Sequence, residues 1–98
     1  MVAIPDEKTL DKMEALLSIA SDYTRLKILY SVSEGEKNVS VLVKESGASQ
    51  SLVSHQLKVL RKAKLVSAHK VGTKVYYSLA DEHVIELLRV VHEHVVEK

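Results

Sequence analysis

Residues 38–66 read NVSVLVKESGASQSLVSHQLKVLRKAKLV, and this stretch decides the fold. Ser40 to Glu45 forms a short helix that partly buries Val41, Leu42 and Val43, and Gly47 gives the backbone freedom for a tight turn. Ser49 can cap a second helix running to about Lys62, with Leu52, Val53, Leu57 and Leu60 facing the core. Two short helices joined by a Gly-containing turn make a helix-turn-helix, whose second helix sets its N-terminal residues against base edges in a major groove. The outward residues are Gln50, Ser51, Ser54, His55 and Lys58, with Ser49 at the cap. Short hydroxyl and amide groups at the front suit base edges, and the cation behind suits a phosphate. A helical hairpin with a polar surface would share this spacing.

The next segment separates the two. Residues 65–80, LVSAHKVGTKVYYSLA, alternate apolar and polar on both sides of a Gly-containing turn, the pattern of a β-hairpin. Lys70 and Lys74 flank its tip, as in a wing that touches the DNA backbone or minor groove. An ordinary core-covering hairpin is the alternative. Tyr76 and Tyr77 point to opposite faces, so at least one belongs to the core. His55 and His69 lie in this DNA-facing region without ligand-spaced companions, and read as phosphate or base contacts or as plain surface.

Upstream, residues 6–20, DEKTLDKMEALLSIA, place Leu10, Met13, Leu16, Leu17 and Ala20 on one helical face. Asp22 caps a second helix in DYTRLKILYSVSEG, with Leu26, Ile28, Leu29 and Val32 inward and Gly35 ending the run. This pair is scaffold.

The chain has 98 residues, one domain over 1–98, and a domain this small buries too little surface to be strongly stable alone, which favours a homodimer. It has no cysteine, so any metal must be held by His, Asp and Glu. The start, MVAIPDEKTL, lacks a signal pattern and no run is long enough for a membrane span, so a cytoplasmic location is expected. Net charge is only +1, yet it divides unevenly: residues 46–80 carry six Lys and Arg and no acid, while residues 81–98 carry two and five. An acid-free stretch inside a nearly neutral chain suits a polyanion such as double-stranded DNA, although solvated lysines can cluster by chance.

At this point the sequence resembles a known family. SQSLVSHQLKVL and the GTKVYYSL wing, with SDYTRLKILYSV upstream, are similar to the winged helix-turn-helix of the ArsR/SmtB family of bacterial metal-responsive repressors. The resemblance covers nearly the whole chain. It implies a mainly α fold with a β-hairpin wing, in the order α-α-α-α-β-β-α, acting as a homodimeric repressor on operator DNA. For the regulated genes it implies metal efflux or resistance. It does not fix the inducer.

Residues 81–98, DEHVIELLRVVHEHVVEK, bear on that question. At about 100° per residue, with His83 at zero, Leu87 falls near 40°, Val90 near −20°, His94 near 20° and Glu97 near −40°. This is one narrow seam, apolar in the middle and carrying ligand-type groups at its ends. His83 and His94 are separated by roughly 16 Å of helix, too far for one ion whose ligands span roughly 4 Å. An antiparallel partner helix solves this, since it brings His83 of one copy opposite His94 and Glu97 of the other, with Asp81 turning back beside His83. Two imidazoles and two carboxylates make a tetrahedral set suited to Zn(II) or Co(II). Either histidine alone reads as an ordinary surface residue, but the combined spacing resembles the family's C-terminal-helix zinc site. His92 lies off the seam and reads as surface.

The family's other metal position uses cysteines on the helix before the recognition helix, and NVSVLVKESG has none, which disfavours arsenic, lead and cadmium sensing. Glu97 stands where relatives use His, so water-completed coordination is an alternative. The expected function is therefore a zinc-released or cobalt-released transcriptional repressor, with a metal-independent winged-helix regulator as the nearest alternative and a metal-storage dimer behind it. No nucleophile with a paired base and no phosphate-cradling Gly loop is present, so an enzyme is not expected.

Overall fold

In a computed structural model that describes residues 3–97, the elements run α1 (Glu7–Ala20), α2 (Tyr23–Ser33), β1 (Lys37–Asn38), α3 (Val39–Ser46), α4 (Gln50–Lys62), β2 (Val66–Val71), β3 (Lys74–Leu79) and α5 (Glu82–Val96). Each helix starts where a side-chain oxygen can accept from its free first-turn amides. Asp6, Asp22, Asn38, Ser49 and Asp81 do so at 2.8–3.2 Å, and each cap contributes about 1 kcal/mol. Gly47 ends α3 in the left-handed region, φ 73°, with open space around it, so the backbone alone demands glycine there.

The core is one cluster centred on Ile28, Leu29, Leu42, Val53, Leu57 and Leu60. Ala20, Leu65, Val66, Val84 and Leu88 close it from α1, the strands and α5, and Tyr77 packs on it from β3 while Tyr76 faces His69. α2 thus sits in the middle of the domain, as expected of scaffold. The faces of α1 and α5 are different. Leu10, Met13 and Leu17 on α1, with Val90, Val91 and Val95 on α5, stay exposed although their periodicity is that of buried faces.

Three expectations differ from the structure. The hairpin is part of a three-stranded antiparallel sheet in the order β1-β3-β2, because Lys37 and Asn38 pair with Tyr77 and Tyr76. A two-residue edge strand leaves no alternation to read, so the observed order is α-α-β-α-α-β-β-α. On α4, Leu52 does not face the core. It is 39 % exposed, and the buried stripe runs through Val53, Gln56, Leu57 and Leu60, where polar partners on α2 accommodate the Gln56 amide. The first helix of the motif is also longer than expected, since Val39 and Ser46 extend it at either end and leave Val41 exposed.

Candidate nucleic-acid interface and metal centre

The second helix of the motif exposes the residues that the sequence pattern singled out. Gln50, Ser51, Ser54, His55 and Lys58 are all exposed, and Ser51, Ser54, His55 and Lys58 line a single shallow depression. The Ser49 hydroxyl oxygen accepts from Leu52 N–H at 3.2 Å and lies 3.4 Å from the Ser51 hydroxyl, so its first role is to start the helix. His55 and Lys58 also border a second depression with Val59, Arg61 and Lys62. The sequence reading passed over Arg61 and Lys62. Their spacing of three and four residues from Lys58 is the signal that would have found them.

In the wing, Lys70 lies opposite Val75 and Lys74 opposite Val71, so the two exposed lysines leave opposite faces of the ribbon beside its tip. Gly72 takes φ 63° in the two-residue turn, as such a turn requires. His69, expected to have no ligand-spaced companions, has one acid beside it in space. β1 brings Glu36 across the middle strand, and its carboxylate oxygen lies 2.8 Å from His69 Nδ1. An acid therefore reaches the wing sheet from outside the acid-free stretch.

A second polar cluster fixes the wing to α3. Lys37 Nζ donates to Glu34 and Glu45, both at 2.7 Å, and Ser31 donates to the same Glu45 carboxylate. The hydrogen bonds from Lys37 and Ser31 hold the Glu45 carboxyl below the usual carboxylate range, and those to Glu34 and Glu45 raise Lys37.

On α5 the seam residues are open to solvent in the single chain. Leu87 is half-buried, while Val90, His94 and Glu97 are exposed and the His83 side chain is 98 % exposed. At the N-terminal end, Asp81 Oδ1 accepts from the backbone of His83 and Val84 and sits 3.7 Å from His83 Nδ1. These cap and ring contacts all use Oδ1. At the C-terminal end, Glu97 is the first residue past the helix, with extended backbone, yet its N–H still donates to the Glu93 carbonyl at 3.0 Å. That bond keeps Glu97 in helical register with His94. Among the described residues of one chain, no three His, Asp or Glu side chains gather where they could hold a metal ion. The two ends of α5 are separate half-sets of donors. Each end carries imidazole with carboxylate, side chains able to ligate a divalent metal ion.

Arg89 bridges Glu86 and Glu93 beside the seam. Tyr30 on α2 donates its hydroxyl to the Leu88 carbonyl at 2.7 Å, and burial raises its pKa. His92, exposed as expected, has its ring centroid 6.4 Å from that of Tyr30.

Comparison with known proteins agrees with this geometry. The family model described as "Bacterial regulatory protein, arsR family" matches residues 22–68, from the start of the motif's scaffold into β2. A "Transcriptional repressor SmtB homolog" from Synechocystis is 40% identical over 96 residues, covering 95% of this chain and 73% of the relative. The regulator NmtR of Mycobacterium tuberculosis is 37% identical over 83 residues, 85% of this chain and 69% of the relative. Among solved structures, NolR of Sinorhizobium fredii superposes with a TM-score of 0.83 at 30% identity, covering 98% of this chain and 97% of that one. The Mycobacterium bovis domain Mb0332, described as a homodimeric winged helix-turn-helix DNA-binding domain, superposes with a TM-score of 0.83 at 29% identity, covering 100% of this chain and 96% of that one. The relatives are regulators of transcription rather than enzymes, and no helix among the described residues is long and apolar enough to cross a membrane. With its helix-turn-helix, lysine-tipped wing and this degree of similarity, the chain belongs to the ArsR/SmtB family of bacterial transcriptional regulators and carries their DNA-binding winged helix-turn-helix.

Proposed function

We propose that the protein is a cytoplasmic repressor that binds operator DNA as a homodimer and is released by Zn(II), or Co(II), held between protomers by Asp81, His83, His94 and Glu97. The observation that carries this reading is the seam of α5, exposed in a single chain and ending in a half-set of donors at each end. Apolar faces on α1 and α5 with nothing over them support a partner chain, and the homodimeric Mb0332 supports the same arrangement. The SmtB-like relatives support a metal as the signal.

In this account Ser49, Gln50, Ser51, Ser54 and His55 face base edges while Lys58, Lys70 and Lys74 face phosphates. Asp81 holds the first turn of α5 through the same carboxylate oxygen that lies 3.7 Å from His83 Nδ1, so cap and half-set share one side chain. Glu97 and His94 offer the second half-set from the last turn. Asp81 and His83 of one protomer would hold the ion together with His94 and Glu97 of its partner, and ligation across the two α5 helices would favour one angle between protomers. Two recognition helices must meet successive major grooves at a fixed spacing, so an angle unsuited to DNA weakens both contacts together, and linkage makes the effect reciprocal. The resemblance to the family implies that His94 gives its second ring N–H to a backbone carbonyl near Lys64, where recognition helix and wing meet, as the relay between site and DNA face. His94→Asn then keeps part of the metal affinity and loses the DNA response; normal release of DNA by zinc in this variant contradicts the relay.

Mixed dimers test the shared site. His83→Asn and His94→Asn homodimers should each bind zinc poorly, while a mixture re-equilibrated through dissociation regains one intact site per heterodimer. Failure of the mixture to regain any tight zinc site contradicts an inter-subunit centre. Operator binding that ignores zinc in the parent protein leaves a metal-independent regulator.

A further inference from the structure

Gln56 lies on the recognition helix, yet it points away from the exposed face and is 7 % exposed. Its amide is used at both ends. Oε1 accepts from Arg25 Nη1 at 2.8 Å, and Nε2 donates to Asp22 Oδ2 at 3.2 Å. Arg25 Nε in turn donates to the Ile19 carbonyl at 2.8 Å, in the last turn of α1, and Asp22 Oδ2 also accepts from Arg25 N–H at 3.1 Å as the cap of α2. A single planar amide therefore joins α4 to the corner where α1 meets α2. Chemistry fixes which way round it sits, because the flipped amide would set its NH2 group against the guanidinium donors and its oxygen against a carboxylate.

The other buried residues of α4 are Val53, Leu57 and Leu60, whose packing sets the approximate pose of the helix but is non-directional, so the hydrogen bonds of Gln56 set its fine rotation. A rotation of α4 by about 20° would carry outward side chains, about 5–6 Å from the helix axis, through about 2 Å. That is enough to break any base contact made at hydrogen-bond distance. We infer that Gln56 is a positioning residue for sequence discrimination: clamped between Arg25 and Asp22, it sets the rotation of the recognition helix without touching DNA. The inference rests on the reading of Gln50, Ser51, Ser54 and His55 as base-facing. It concerns specificity and not affinity at large, since Lys70 and Lys74 lie on the wing, outside the clamped helix, and the long side chain of Lys58 can follow its phosphate through a shift of about 2 Å.

The test compares the full-length protein with Gln56→Met, which keeps length and removes both polar ends, and Gln56→Glu, which keeps the acceptor for Arg25 and removes the donor to Asp22. The probes are a duplex selected by the wild-type protein from a random-sequence pool and a scrambled duplex of the same composition, both without zinc at fixed salt. The expected result is a drop of at least tenfold in the ratio of selected to scrambled affinity for Gln56→Met and a smaller drop for Gln56→Glu. Affinity for the scrambled duplex and its salt dependence should stay within about twofold. A folded variant that melts at lower temperature but keeps the wild-type ratio overturns the inference. Wild-type protein unable to discriminate the duplexes overturns the base-facing reading instead. Should both variants fail to fold, the wild-type complex still decides: the Gln56 side-chain NH2 protons should exchange slowly with solvent on the selected duplex, and fast exchange there overturns the clamp.

Discussion

Tyr30 donates its hydroxyl to the Leu88 carbonyl at 2.7 Å, a direct polar tie from the scaffold helix α2 to the terminal helix α5. The contact reaches α5 close to the middle of its seam. Tyr30→Phe removes the donor and leaves the ring in place, so stability should fall by about 1 kcal/mol, the worth of one neutral hydrogen bond. Chemical denaturation at fixed protein concentration measures this, and an unchanged midpoint contradicts a contribution from the tie.

Lys64 sits at φ 62° where α4 gives way to β2, a left-handed position held by a residue with a Cβ. The Leu65 N–H closes the turn on the Leu60 carbonyl at 2.9 Å, so the conformation is imposed by the helix end. Lys64→Gly should stabilise the fold by up to about 1 kcal/mol, because relief of the left-handed strain exceeds the entropy that glycine adds to the unfolded chain. The backbone carbonyl survives the substitution, so zinc response should be retained. Thermal melts and DNA titrations of the same variant check the two halves separately.

Lys70 and Lys74 leave opposite faces of the wing, and Lys58 stands behind the polar front of α4. For a lysine that neutralises one phosphate, replacement by alanine should lower the slope of log affinity against log salt by about 0.9 per contact in each half-site. The loss should be alike on selected and scrambled duplexes. A change of sequence preference with an unchanged slope would mark that lysine as a base contact.

The Glu45 carboxyl is held below its ordinary range by Lys37 and Ser31. A depressed acid contributes stability that is present above the unfolded-state value, near 4.5, and lost as pH falls through the folded-state value. Lys37, being raised, contributes stability that is present below about 10.5 and lost as pH rises through its folded-state value. Glu45→Gln should flatten the dependence of stability on pH below 4.5, as measured by denaturant midpoints between pH 3 and 6, and an unaltered acid limb would contradict the assignment.

Much of the fold could be read from local signals: the caps at Asp22 and Ser49, the turn glycine Gly47, and the alternation around Gly72. β1 was hidden because two residues carry no period, and its consequence, Glu36 beside His69, needed the sheet order to become visible. Leu52 was misassigned because hydrophobic spacing alone favours an apolar residue over glutamine at the edge of a stripe. Gln56 enters the buried stripe only because Arg25 and Asp22, more than thirty residues earlier, complete its hydrogen bonds. The exposed polar face of α4 was legible because its residues are local to one helix. Arg61 and Lys62 extend it by the same periodicity. The His and carboxylate groups at the two ends of α5 were legible as a seam, whereas the proposed joining of those ends needs a second copy and leaves no signal in one chain.

In the proposed dimer, DNA and zinc oppose each other. Fluorescence anisotropy of a labelled duplex from the protein's own promoter, titrated at fixed salt first in chelator and then with excess zinc, measures that opposition directly. Tight binding in chelator that weakens at least tenfold with zinc, about 1.4 kcal/mol of coupling, is the predicted result. Equal affinity in both conditions would contradict it.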